Sequence, residues 1–115
     1  MTNNHILELA ELQDGKVIKR HIKNKPTITI GRNEDNDLVF NDSSISSFHA
    51  KIDIELGLGA ADSEPVVFIS DLGSTNGLQI NHSTTKHKQI KSGDILTIAF
   101  KEFVIRINET ESAAM

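Results

Sequence analysis

The stretch Val66-Val67-Phe68-Ile69-Ser70-Asp71-Leu72-Gly73-Ser74-Thr75-Asn76-Gly77-Leu78-Gln79-Ile80 decides the architecture. Its β-branched and aromatic opening, 66–70, suits a pleated strand. Asp71 marks a strand end, and a tight turn leads into a second short strand at Leu78–Ile80. Asn76-Gly77 is a pair that supplies the left-handed backbone positions of a hairpin. An asparagine there serves turn geometry, or else offers an acceptor and two donors to a ligand's backbone.

The same β pattern continues in both directions. Upstream, Ile6–Leu9 and Val17–Ile22 flank the hairpin signal Asp14-Gly15, and Thr27–Ile30, Leu38–Phe40 and Ala50–Glu55 follow. Downstream come Ile95–Ile98 and Phe103–Ile107, with Asn, Asp, Ser and Gly clusters between the runs. Many short strands at this spacing define a β-sandwich or barrel, and no stretch holds a helical period. Residues 57–65, GLGAADSEP, read as a flexible loop. The apolar alternation ends at Ile107, so 108–115 is expected to be a disordered tail behind a domain spanning 1–107. Met1 lies close to the first strand, which places the domain at an N-terminus or on its own.

A chain of 115 residues makes one domain and needs neither disulfide nor metal to fold. The absence of Cys removes disulfides, thiolate nucleophiles and Cys-based zinc sites together. There is no signal-peptide core and no apolar run of membrane-spanning length, which is the pattern of a cytoplasmic protein. Net charge is −4, from 12 basic and 16 acidic residues. Nucleic-acid binding rests on a basic field that this chain lacks. Glu34, Asp35, Asp37 and Asp42 read as a solvated acidic loop or as a screen against surplus anions, and Lys86, Lys88 and Lys91 as a basic surface loop. His5, His21, His49, His82 and His87 show no metal-ligand spacing, so no metal and no cofactor are expected.

Three further signatures accompany the 71–77 turn: Gly31-Arg32, Ser46-Ser47-Phe48-His49, and Asn81. Glycine lets a ligand approach the backbone, and arginine presents a permanent planar cation that matches phosphate oxygens. If Ser46 and His49 both lay in one strand they would face opposite sides, which argues against a Ser–His nucleophile pair. His49 then reads as a structural imidazole and Ser46 as a ligand-facing hydroxyl. The equipment suits gripping a small dianion such as a phosphate, with nothing evident for transforming it.

In order and spacing, Gly31-Arg32, Ser46-x-x-His49 and Ser74-Thr75-Asn76-Gly77 with Asn81 resemble the forkhead-associated (FHA) domain family. Asn36–Phe40 and Gly93–Ile98 extend the likeness, so that it covers roughly residues 5–107. The resemblance implies an all-β, antiparallel, FHA/SMAD-like sandwich of about eleven strands with ligand loops at one end. It implies a non-catalytic reader of phosphothreonine peptides in Ser/Thr-kinase signalling, whose partner is a kinase or a kinase substrate. Arg32 and Ser46 would hold the phosphate, Thr75 would add a hydroxyl or backbone contact, and Asn76 would bond the peptide backbone. Gly31, His49, Ser74, Gly77 and Asn81 would support the loops. Two positions depart from the family. Ser47 stands where Arg, Lys or Asn is frequent, which implies weaker or altered binding, and Ala99 stands where glycine is frequent. Ser44, in a loop that reads flanking residues in the family, carries no strong preference. The alternatives are phosphate-independent assembly through the same fold, and an enzyme or metal protein.

Overall fold

The computed structural model describes residues 5–55 and 66–109. It contains eleven strands and, among the described residues, no helix. In chain order they are β1 (His5–Gln13), β2 (Lys16–Lys23), β3 (Thr27–Gly31), β4 (Leu38–Val39) and β5 (Ala50–Glu55), then β6 (Val66–Asp71) and β7 (Leu78–Ile80). After these come β8 (Ser83–Thr85), β9 (His87–Ile90), β10 (Ile95–Ile98) and β11 (Lys101–Glu109). A six-stranded sheet has the order β2-β1-β11-β10-β7-β8, and a five-stranded sheet the order β4-β3-β5-β6-β9. Every pairing is antiparallel except β3 with β4, where Ile30 and Gly31 run parallel beside Leu38 and Val39.

Alternation along the strands builds the core from both layers. Leu7, Leu9, Leu78, Ile80, Leu96, Ile98, Phe103 and Ile105 come from the six-stranded sheet, and Ile28, Ile30, Ile52, Val67, Ile69 and Ile90 from the other. Three core residues lie outside any strand: Phe40, Ile45 and Ala99. Ile45, in the loop between β4 and β5, is fully buried and pins that loop to the sandwich. Truncating such a side chain to alanine removes about 2–5 kcal/mol.

Several sequence expectations are refined. The segment expected to be a basic loop contains β8 and β9; their sequences, STT and HKQI, are polar and exposed but for half-buried Thr85 and buried Ile90. Both are sheet edges, where only one inward residue is needed and alternation is weak. The 71–77 turn is a crossover and not a hairpin, because β6 belongs to the five-stranded sheet and β7 to the other. β11 runs two residues past Ile107, while the 57–65 loop and residues 110–115 lie outside the described residues.

Three two-residue turns are true hairpins. Asp14 and Gly15 (φ 55° and 78°) and Asn81 and His82 (φ 51° and 71°) both have the left-handed pair that a type I′ turn demands. Between β10 and β11, Ala99 alone is left-handed at φ 55°, as at the first position of a type II′ turn. A Cβ in that region costs about 1–2 kcal/mol, which glycine avoids at the expense of about 0.4–1 kcal/mol of unfolded-chain entropy. Ala99→Gly is therefore expected to leave stability unchanged or raise it by up to about 1 kcal/mol. Urea denaturation would check this, and a clear loss of stability would refute the strain assignment.

Candidate functional site

The site is built where β3 ends and β5 begins, beside the crossover from β6 to β7. Strand β3 closes on Gly31, whose missing side chain is a steric necessity: a Cβ there would collide with the Ser47 carbonyl and crowd the Asn36 amide. The next residue is thereby laid against the β4–β5 loop. Arg32 N–H donates to Ser46 O (3.0 Å), and Asn33 N–H to Ser47 O (3.1 Å). The Arg32 side chain folds onto the same loop, with Nε donating to Ile45 O at 2.9 Å. Among the described residues nothing engages its terminal amines, and the residue is exposed.

The crossover reaches that loop from the other side. Thr75 N–H donates to Ser46 Oγ (3.0 Å), and Asn76 Nδ2 donates to Ser44 O (2.8 Å). Arg32, Ser46, Thr75 and Asn76 thus all anchor on residues 44–46, the segment that Ile45 buries. Ser46 Oγ accepts from Thr75, which leaves its own proton to donate outward. Asn76 commits its amide nitrogen, which leaves Oδ1 as an acceptor. Ser47 and Thr75 are exposed on the same rim.

His49 ties the loops from beneath. It is fully buried, and its Nδ1 accepts the Ser46 backbone N–H at 3.1 Å. The ring proton therefore sits on Nε2, which donates to Gly77 O at 2.8 Å. His49 precedes β5, so the strand argument for keeping it from Ser46 Oγ does not apply. The hydroxyl is instead held by Thr75 N–H, and the imidazole takes the Ser46 backbone.

The crossover itself is folded around Asp71. Its Oδ1 accepts from Gly73 N–H (2.8 Å) and Ser74 N–H (2.7 Å), and its Oδ2 from Ser74 Oγ–H (2.9 Å). Ser74 Oγ in turn accepts from Gly77 N–H at 2.8 Å. Gly77 is left-handed at φ 75°, whereas Asn76 is not, so turn geometry does not explain that asparagine. Burial of Asp71 works to raise its pKa, but the hydrogen bonds from Ser74 and Gly73 and the Lys86 charge hold it below the usual range.

Two residues that shape the loops have no such role in the sequence reading, which places Asp42 in an acidic cluster and Asn36 only within the family likeness. Asp42 accepts from both N–H and Oγ–H of Ser44, a short acid-to-serine turn legible in Asp42-x-Ser44. The buried Asn36 amide bridges Asn33 O (2.9 Å) and Ser47 O (2.7 Å). No local pattern announces that contact. Of the acidic group, Asp37 is taken up by Lys25 and by Thr29 N–H and Oγ–H, leaving Glu34 and Asp35 exposed. Asn81 is not brought to the rim. It sits at the far end of β7, where it donates to Asp94 and accepts from Ile95 N–H. Other described histidines lie apart: His21 bonds Glu11 against Phe40, His87 stacks on Phe68 and contacts Ser70, and His82 sits in the β7–β8 turn.

The site thus joins a hydroxyl, an amide and a half-free guanidinium from three converging connections of an all-β sandwich. The sequence pattern of the family described as FHA domain matches residues 28–99, and the chain belongs to that family. It is 26% identical over 98 residues to the FHA domain-containing protein FhaA of Mycobacterium tuberculosis, covering 85% of this chain and 17% of that protein. Mycobacterium tuberculosis EmbR, solved in complex with a low-affinity phosphopeptide, superposes with a TM-score of 0.72 at 25% identity, over 90% of this chain and 24% of EmbR. The MEK1 FHA domain, solved with a HOP1 phosphothreonine peptide, gives a TM-score of 0.69 at 25% identity, over 90% of this chain and 96% of that one. The chain therefore spans about a sixth of FhaA and a quarter of EmbR, but nearly all of the isolated domain.

Because the folded-state pKa of Asp71 is lowered, its stabilising contribution is complete above its unfolded pKa, about 3.9, and is lost as pH falls through the lower native value. Asp37 and Asp42 are shifted in the same direction, both chiefly by side-chain hydrogen bonds, from Lys25 and Ser44 respectively. Asp71→Asn is expected to cost on the order of 1 kcal/mol at neutral pH and to flatten the acid limb of a stability–pH curve. Urea melts from pH 7 down to about 3 would show it. Parallel curves for variant and wild type would remove Asp71 as a contributor.

Proposed function

We propose that this chain is a non-catalytic module that binds a phosphothreonine-containing segment of a partner protein, in Ser/Thr-kinase signalling in the cytoplasm. The observation that carries the reading is the common anchorage of Arg32, Ser46, Thr75 and Asn76 on residues 44–46. In this reading the free amines of Arg32 and the Ser46 hydroxyl hold the phosphate, and Thr75 Oγ1 and Ser47 complete the rim around it. Asn76 Oδ1 accepts a peptide N–H beside the phosphothreonine. Gly31, His49, Ser74 and Gly77 keep these groups in place, and Asn81 acts further off by fixing β7 to the start of β10. The phosphopeptide complexes of EmbR and of the MEK1 FHA domain support the ligand class. The partner is a Ser/Thr kinase or one of its substrates.

No step of catalysis is assigned. Ser46 Oγ faces a backbone N–H and not a base, so it is a donor and acceptor without activation as a nucleophile. Among the described residues no helix is long and apolar enough to cross a membrane.

An oriented phosphopeptide library, screened with the wild type and with Arg32→Ala, tests the reading. Charge-assisted hydrogen bonds are worth about 1.5–3 kcal/mol, so Arg32→Ala should weaken the best peptide by about one to two orders of magnitude. Binding should also fall below about pH 6, where the phosphate regains its second proton. Equal binding of phosphorylated and unmodified peptides, or an interaction indifferent to Arg32→Ala, would favour phosphate-independent assembly through the fold instead.

A further inference from the structure

Four strands form the edges of the two sheets: β2 and β8 of one, β4 and β9 of the other. β8, β4 and β9 have three, two and four residues, and such short edges give a foreign strand little to pair with. β2 has eight residues and, among the described residues, pairs with β1 alone. A bulge interrupts that pairing at Ile18, and beyond it Lys19–Lys23 runs in register against Leu7–Glu11. The other side of this run leaves backbone N–H and C=O groups open to a further strand.

Its side chains sort by face. Val17 (45% exposed), Arg20 and Ile22 (56% exposed) stand opposite Leu12, Ala10 and Glu8, on the outer face of the sheet. Lys19, His21 and Lys23 stand opposite Glu11, Leu9 and Leu7, on the inner face. Residues 16–25 carry five lysines and arginines and no carboxylate, in a chain of net charge −4. Neighbouring carboxylates are engaged: Glu8 by Arg20, Glu11 by His21 and Lys101, and Asp37 by Lys25. Asp14, exposed in the preceding turn, is close to Lys16 in the chain, so the free positive charge rests on Lys19 and Lys23. Among the described residues neither has an ionic partner.

Lysines on an edge are the ordinary guard against chance pairing. Here they turn away a second copy of this chain. A two-fold antiparallel pairing centred on His21 sets Lys19 against Lys23, and one centred between Lys19 and Arg20 sets Lys16 against Lys23. They do not turn away a strand that carries carboxylates, and the exposed Val17 and Ile22 serve no guarding purpose.

We propose that the free edge of β2 is a second, phosphate-independent docking site, at which an acidic strand of a partner protein extends the six-stranded sheet. Main-chain hydrogen bonds supply the pairing, and alternate side chains supply the selection. In antiparallel register the residues opposite Lys23 and Lys19 are Asp or Glu, and the one opposite Ile22 is apolar, which gives the pattern acid–apolar–x–x–acid. The hydrogen bonds that anchor the phosphate rim do not involve β2, so the two sites work independently.

The probe is the capped, unphosphorylated heptapeptide TEVTVET, with TQVTVQT and TKVTVKT as controls. In fluorescence polarisation the Glu peptide should bind about tenfold more tightly than the Gln peptide, which is about 1.4 kcal/mol, and the Lys peptide more weakly still. Added salt should erase the difference between Glu and Gln, a measurement that needs no variant. Amide shifts should map to β2 and leave residues 44–46 and 75–76 unmoved. Lys19→Gln with Lys23→Gln should lose the preference for Glu, and an unchanged thermal melt would confirm its fold. Arg32→Ala should bind the Glu peptide within about twofold of wild type, so failure of the phosphate reading leaves this result standing. Equal binding of the three peptides, or shifts mapped to the rim, overturns the proposal. Capture of the wild type by phosphatidylserine vesicles, lost in the lysine variant and without peptide binding, would assign the strand to a membrane surface and overturn it too. So would a dimer in sedimentation that Ile22→Ser abolishes.

Discussion

A single carbonyl oxygen, that of Gly77, carries the geometry of the site. It accepts from the imidazole of His49, which precedes β5 of one sheet, and from the N–H of Ala99, which follows β10 of the other. The same imidazole accepts from Ser46 N–H, so its proton position is dictated by two backbone partners at once. Leaving either partner unpaired in a buried setting costs about 1–3 kcal/mol. The three connections that carry Ser46, Thr75 with Asn76, and Phe100 are thus joined through one oxygen and one ring, and rigid placement of donors follows from it.

The chain is acidic overall, which sits oddly with an anion site until the carboxylates are followed individually. Asp71 and Asp42 each face backbone N–H groups and hydroxyls of the loops that they fold, and Asp37 faces those of Thr29 in β3. Their charge is spent on holding backbone, and for Asp71 and Asp42 the hydrogen bonds that stabilise the ionised form are the ones that shape the loops of the rim. Arg32, by contrast, gives up only Nε to the protein. The rim therefore presents one positive fork with its outer amines available, beside the satisfied carboxylates of Asp71, Asp42 and Asp37 and the exposed ones of Glu34 and Asp35. In the proposed reading such a site favours a dianion held by directed hydrogen bonds over one held by diffuse attraction.

How far the sequence reaches is decided by what periodicity reports. Alternation names the face on which a residue lies, and it found the long inner strands and the Asp14-Gly15 hairpin. It does not name the neighbour. The parallel pairing of β4 on β3, and the separation of β6 and β7 into different sheets, are properties of the assembled core. For the same reason Asn76-Gly77 read as a hairpin although it is a crossover. The polar edges β8 and β9 lack the apolar repeat altogether. The candidate rim residues were legible because few residue types can hold a phosphate. The residues that aim them, Asn36 and Asp42 among them, act through backbone contacts that leave little trace in composition.

The left-handed Ala99 fits this division of labour. Its φ of 55° turns the chain back sharply enough for Ile98 to pair with Lys101, and it leaves Phe100 standing out at the tip. A strained residue persists only where its surroundings over-determine it. Here the bond from Ala99 N–H to Gly77 O is that surrounding contact, and it belongs to the site. In the proposed reading, directed donors make binding depend on phosphate, but every phosphothreonine offers the same phosphate, so they separate one partner from another poorly. Discrimination between partners has to come from surface the phosphate does not touch. The turn that exposes Phe100 is itself fixed to the loop that carries Asn76.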